Sequence, residues 1–239
     1  MPKPIYAFAD SQLLYWREEG GSLFLSDLRH HFNKDHPSAA YIGASNHDNL
    51  EIYYEIFEPA MQQIGINQCR MIPTYPTPDD IAFLEQAEII LLAGGSVEIG
   101  WRAFAKNGFK ELIFRRFFDG AVLIGVSAGA VQLGSGCLTD DGLKYFSTFG
   151  LLPFHVGVHD ELNDWIFLRD TLGFSQNPMH GICIPSGGGI IYHWDTGNVE
   201  PICKSVLEIS VENGQSHEAI IFSHFEETGG SKVNAKDLL

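Results

Sequence analysis

Basic residues are scarce in this chain. Lys and Arg number 15 against 30 Asp and Glu, a formal net charge of −15. So acidic a surface repels phosphate backbones and anionic headgroups, which argues against nucleic acid and membrane surfaces as partners. An acidic substrate would need a local cation to overcome that field. Cysteine is also sparse: Cys69, Cys137, Cys183 and Cys203 form no C-x-x-C pair. A disulfide framework is not expected in a chain this long and rich in core residues; buried thiols are. No apolar run reaches the length that spans a bilayer. The opening stretch MPKPIYAFAD lacks the apolar segment and cleavage site of a signal peptide, so a cytoplasmic location is the expectation. Internal repeats and linkers are missing as well.

What is present is a core. The 239 residues are 45% hydrophobic, enough for one substantial domain over 1–239. Strand-like and helix-like stretches alternate. PIYAFAD, AAYIGAS, NQCRMIPTYP, AEIILLAGG and AVLIGVS read as strands. Between them SLFLSDLRHHF, NHDNLEIYYEIFEPAMQQIG, TPDDIAFLEQ and VEIGWRAFAKNGFKELIFRRFFDG read as helices. Thr77 followed by Pro78 marks one helix start, and Gly108 a break in the longest helical stretch. The alternation predicts an α/β fold of three layers, α/β/α, with a mostly parallel sheet covered on both faces. Beyond Gly134, GICIPSGGGIIYHW reads as strand, and SVLEISVENGQSHEAIIF as a hairpin turning at Asn213-Gly214. The polar tail from Glu226 is expected to fray.

The stretch VLIGVSAGAVQLG holds the chemistry. Gly125-Val126-Ser127-Ala128-Gly129 is a G-x-S-x-G pattern between a buried strand and small residues that open a helix. That is the setting of a nucleophile elbow, a strained turn that lifts a serine hydroxyl above the sheet. The turn needs small residues two before and two after the serine, and both are glycine. The same turn points the Ala128 N–H toward a carbonyl under attack. A second donor is available in LLAGGSVEIG, where Gly94 and Gly95 end one strand and begin the next helix. For a base, FGLLPFHVGVHDELNDW offers His155 and His159. His159 is the better candidate because it falls at a strand end; His155 lies within the strand and is expected to pack.

Other features read as structural. Asp10, Ser11 and Gln12 should cap or turn at the end of the first strand, near the same crevice, with a substrate contact as the alternative. In SNHDN, Asn46 or Asp48 is expected to cap a helix rather than join His47 around a metal. SGGG at 186–189 lacks the lysine of a phosphate loop and reads as a close approach or bulge within a strand. IYYEIF is expected in the core, and Arg115 and Arg116 on a solvated face.

Taken in order, LLAGGS, GAVLIGVSAGA, GLLP and VGVHDELND resemble peptidase family S51, which includes aspartyl dipeptidase (peptidase E) and cyanophycinase. The likeness runs over roughly residues 40–195. It implies a class I glutamine-amidotransferase-like fold, flavodoxin-like in layout, and a serine hydrolase that needs no metal or cofactor. It further implies Ser127 as nucleophile, His159 as general base, and the Gly95 and Ala128 N–H groups as oxyanion hole. Four places depart from the family pattern. Ser96 stands where an asparagine follows the glycines, Ser186 where an acid orients the histidine, and Gly157-Val158 where Asp-Pro or Asn-Pro precedes it. Several basic residues after the histidine are missing, and Arg169 is the only guanidinium nearby. Ser96 and Arg169 are therefore the candidate substrate contacts. For a third triad member, Asp140, Asp141, Glu161 and none at all stay open.

The expected function is hydrolysis of a small peptide or related amide through an acyl-enzyme on Ser127. The alternatives are an impaired member that binds a small ligand, and an esterase. The elbow carries serine rather than the cysteine of glutaminases. A homodimer is compatible with the sequence, which does not address assembly.

Overall fold

The structure is a computed structural model; it describes residues 2–17, 23–32, 34–46, 50–175, 180–212 and 214–223. In chain order, its first half runs β1 (Ile5–Phe8), β2 (Ser38–Ile42), α1 (Leu50–Gln63), β3 (Gln68–Ile72), α2 (Pro78–Leu84), β4 (Ile89–Leu92), α3 (Val97–Asn107), α4 (Phe109–Phe118) and β5 (Val122–Val126). The second half adds α5 (Ala128–Leu133), β6 (Gly136–Leu138), β7 (Tyr145–Ser147), β8 (His155–Val158), α6 (Ile166–Phe174), β9 (His180–Ile184), β10 (Gly189–His193), β11 (Asn198–Ile202), β12 (Val206–Glu212) and β13 (Gln215–Ile221).

The main sheet has seven strands in the order β11-β10-β1-β5-β4-β2-β3. From β1 to β3 the pairing is parallel; β10 and β11 extend the β1 edge antiparallel. The period of two in each strand sorts side chains to opposite faces. Ile5 and Ala7, Ile90 and Leu92, and Leu123 join one core with Phe104 of α3, Phe109, Ile113 and Phe117 of α4, and Leu133 of α5. Tyr6 and Phe8, Ile89 and Leu91, and Val122 and Ile124 join the other with Phe57 and Met61 of α1 and Leu25 and Leu28. Each large side chain so buried contributes about 1.5–3 kcal/mol. The α/β architecture expected from the sequence is the one observed.

Helix ends follow the sequence signals. Thr77 and Asp80 form a reciprocal capping box at α2. Gly108 takes φ 70°, ending α3 and starting α4. SLFLSDLRHHF, read as a helix, instead carries a 3₁₀ segment over Phe24–His31.

A second sheet stands beside the first, in the order β13-β12-β9-β8. Leu168 and Leu172 of α6 pack there on Cys183 and Ile209. Gly157 and Gly181 admit Leu168: a Cβ at either would come within 3.1 Å or less of its side chain. GICIPSGGGIIYHW thus supplies two strands, β9 and β10, to two different sheets. Ser186, Gly187 and Gly188 form the crossover rather than a bulge within one strand, and Gly189, the first residue of β10, is a close approach: a Cβ there would lie 2.6 Å from the Leu13 side chain. The hairpin of β12 and β13 is present, with Glu212 facing Gln215; Asn213 lies outside the described residues, as do His47, Asp48 and the tail from Glu226.

Candidate active site

The elbow is built by close backbone approach. Ser127 has φ 51° and ψ −112°, a strained conformation for a residue with a side chain. It follows β5, its N–H bonded to the Phe8 carbonyl at 2.9 Å, and precedes the six-residue α5. A Cβ on Gly125 would lie 2.7 Å from Ala130 backbone atoms, and one on Gly129 would overlap the Leu92 carbonyl oxygen. Neither position accommodates a larger residue without moving the turn. Gly94 backs the serine itself: a Cβ there would stand 3.2 Å from Ser127 Cβ.

His159 reaches this serine from the second sheet. It follows β8 with φ 42°, its N–H bonded to the Ile184 carbonyl at 3.0 Å. Its Nε2 stands 2.9 Å from Ser127 Oγ. His155, by contrast, is fully buried, with Nε2 3.2 Å from the Tyr145 hydroxyl and Nδ1 3.3 Å from the His180 carbonyl. Burial holds its pKa below the ordinary value, and the hydrogen bond to the His180 carbonyl offsets only part of that.

Among the described residues no carboxylate hydrogen-bonds to His159. Asp140 Oδ2 accepts from the Ser96 hydroxyl at 2.7 Å, and its N–H donates to Glu98. Asp141 accepts from Thr139 and from the Leu143 N–H, in that order the main reasons its pKa is low. Glu161 accepts from the Ser186 N–H at 3.2 Å. Desolvation would raise the Glu161 pKa, but hydrogen bonds to backbone and Ser186, with the nearby Lys204, outweigh it and lower it.

Gly95 has φ 119°, and a Cβ on it would overlap the Ser45 carbonyl oxygen. Ala128 is the first residue of α5, where an N–H has no intrahelical acceptor. The Ser96 hydroxyl is not on the cleft walls: it caps α3 by accepting from the Ile99 N–H at 3.2 Å. Arg169 is also not brought to the site. Its guanidinium is bonded to Glu218 at 2.7 Å and to the Asp164 carbonyl at 2.8 Å, and it lines neither cleft. Those acceptors, close on α6 and β13, leave the side chain structural.

Two clefts meet at the serine–histidine pair, and both are lined by Gly95, Ser127 and His159. The larger, about 370 Å³, has Asp10, Tyr41, Ser45, Asn46 and Tyr53 on its walls. The smaller, about 240 Å³, is mostly apolar, with Val97, Val131, Val156, Phe167 and Leu168 beside Asp160. Sequence reading missed Tyr41, Ser45 and Tyr53 as wall residues. The available signal for Tyr41 and Ser45 was position, at or just beyond β2, near the carboxyl ends of parallel strands where α/β sheets bind ligands; Tyr53 comes from the first turn of α1. IYYEIF is split accordingly, with Phe57 in the core and Tyr53 exposed. Asn46 donates to the Tyr41 hydroxyl at 2.6 Å. Of the paired arginines, Arg115 is solvated as expected, but Arg116 is largely covered and donates to the Ala87 carbonyl. Among the described residues no group of His, Cys, Asp and Glu is arranged to hold a metal ion, and no helix is long and apolar enough to cross a membrane.

The site is thus an α/β fold carrying a serine on a strand-to-helix turn with a histidine at hydrogen-bond distance. The family model for peptidase family S51 matches residues 17–163, more than half of the sequence and inclusive of Ser127 and His159. The chain belongs to peptidase family S51. Two solved structures share its fold. A peptidase from an acI-B1 Actinobacterium is 12% identical with a TM-score of 0.67, over 94% of this chain and 96% of that one. A candidate peptidase E from Listeria monocytogenes EGD-e is 15% identical with a TM-score of 0.58, over 89% of this chain and all of that one. No curated protein matches the sequence.

Proposed function

We propose that this peptidase-family protein hydrolyses a small peptide or related amide through an acyl-enzyme on Ser127. The observation that carries the reading is the 2.9 Å approach of His159 Nε2 to Ser127 Oγ on a strained elbow. His159 takes the hydroxyl proton as Ser127 attacks the carbonyl carbon. The tetrahedral oxyanion is held by the Gly95 and Ala128 N–H groups. His159 then returns the proton to the leaving amine, and a water repeats the sequence to release the acid.

A second reading is favoured by one observation: His159 lacks a carboxylate partner among the described residues. Without an orienting acid, a serine–histidine pair can lose several orders of magnitude in rate, about 10⁴ in a well-studied triad. A ligand-binding protein that keeps the elbow, or an esterase acting on more reactive acyl groups, would fit such a loss. Fluorophosphonate labelling with intact-mass detection separates these readings. Stoichiometric labelling of the native chain, lost in Ser127→Ala and in His159→Ala, is the expected result. Labelled protein that turns over small esters but no amide would favour the esterase. Folded protein that does not label would favour the binding protein.

A further inference from the structure

The walls of the two clefts carry charge of one sign. Asp10 lines the larger and Asp160 the smaller, while among the described residues no Lys or Arg lines either. Nearby cations are engaged elsewhere. Arg169 is bonded to Glu218 and Asp164, and the Lys204 ammonium donates to the Ser186 carbonyl at 2.6 Å and faces Glu161. An acidic acyl group entering the larger cleft would find no Lys or Arg among the described residues and would stand against Asp10, within a protein of net charge −15. Unpaired charge in a partly enclosed site is costly, and like charge adds to that cost.

We propose that the larger cleft receives a protonated amine of the substrate, paired with the Asp10 carboxylate, and that it rejects acidic side chains. This rests on the hydrolase reading and adds a substrate class to it. Asp10 is oriented for the task by two backbone donors. Its Oδ1 accepts from the Gln12 N–H at 2.9 Å and its Oδ2 from the Gly187 N–H at 2.6 Å. Each oxygen keeps a further lone pair. The Gly187 bond is a product of the crossover between the sheets, so the turn at 186–189 holds a cleft residue in place. Tyr41 and Tyr53 add aromatic wall, which favours an ammonium over a carboxylate. The amine has two sources, the α-ammonium of an N-terminal residue and the ε-ammonium of a lysine side chain.

Titration calorimetry on the Ser127→Ala chain tests this without turnover. The probes are Ala-Ala-amide, N-acetyl-Ala-Ala-amide, N-acetyl-Lys-Ala-amide and N-acetyl-Asp-Ala-amide, amidated so that the C-terminus adds no charge. At least one amine probe is expected to bind about tenfold or more tighter than N-acetyl-Ala-Ala-amide, as for a charge-assisted hydrogen bond. The acidic probe should bind weakest. Preference for Ala-Ala-amide identifies the α-ammonium as the source; preference for the lysyl probe identifies the side chain. Adding Asp10→Asn should remove the amine's advantage. Equal binding of all four probes, tightest binding of the acidic one, no binding of either amine at millimolar concentration, or an advantage that survives Asp10→Asn would each overturn the proposal. Should Asp10→Asn fail to fold, the ranking of the four peptides decides alone. Fluorophosphonate labelling of the native chain reports separately on the hydrolase reading, so the two can fail independently.

Discussion

Two non-glycine residues at the site, Ser127 and His159, hold positive φ angles of 51° and 42°. The surrounding backbone compels both, through the Phe8 and Ile184 carbonyls that their N–H groups meet. Ser127 was legible because its turn requires glycines that the sequence displays. His159 was legible by its place after a strand. Whether any carboxylate serves His159 was not, since Asp140, Asp141 and Glu161 all fall at suitable distances along the chain and only geometry assigns their partners, none of which is His159. His155 shows the opposite outcome, a histidine spent on packing. Its folded pKa is depressed from 6.5, so below about pH 6.5 the unfolded chain binds a proton that the folded chain refuses. Stability should therefore fall as pH drops from 6.5 through the folded value, by about 1.4 kcal/mol per unit of separation. Urea midpoints between pH 7 and 5 should decline less steeply for His155→Gln than for the parent. An unchanged slope would assign the effect elsewhere, His31 being the other histidine among the described residues whose pKa burial lowers.

At the scale of elements, the central parallel strands were readable because short apolar runs bounded by turns have few alternatives. The α2 cap and the break at Gly108 were readable from single residues. β6 and β7, three residues each, are too short to carry a pattern. β9 and β10 were merged although Pro185-Ser186-Gly187-Gly188 interrupts the apolar stretch, because a turn signal does not say that the chain changes sheets. The start of α3 deserved more than its sequence signal suggested. Ser96 both caps the helix and donates to Asp140, tying the Gly95 turn to the segment between β6 and β7. Ser96→Ala should cost about 0.5–2 kcal/mol, the usual loss of an N-cap. It should also slow fluorophosphonate labelling, because Gly95 adjoins the cap. Denaturation together with labelling rate checks both, and native-rate labelling would detach the cap from the site.

For the molecule as a whole, the decisive arrangement is that nucleophile and histidine belong to different sheets. Phe154, Val156, Ile182 and Ile184 sit in the same core as Leu123 and Leu133, so one apolar body joins the two. Phe154 is nearly fully buried, its ring 5.8 Å from Tyr192 of β10 and 5.7 Å from His180 of β9. Phe154→Ala should cost about 3–5 kcal/mol, as for other buried phenylalanines, and loosen the registry of serine and histidine. Labelling should slow under conditions where circular dichroism still reports a folded chain. Labelling at the parent rate would mean that other contacts set that registry.

The histidine's backbone is anchored on Ile184, well downstream of it in the chain. A ribosome therefore delivers the serine turn early, then the imidazole, and only afterwards the strand that fixes the imidazole in place. On the proposed reading, a chain that stops short of Ile184 would therefore carry Ser127 without a fixed imidazole beside it.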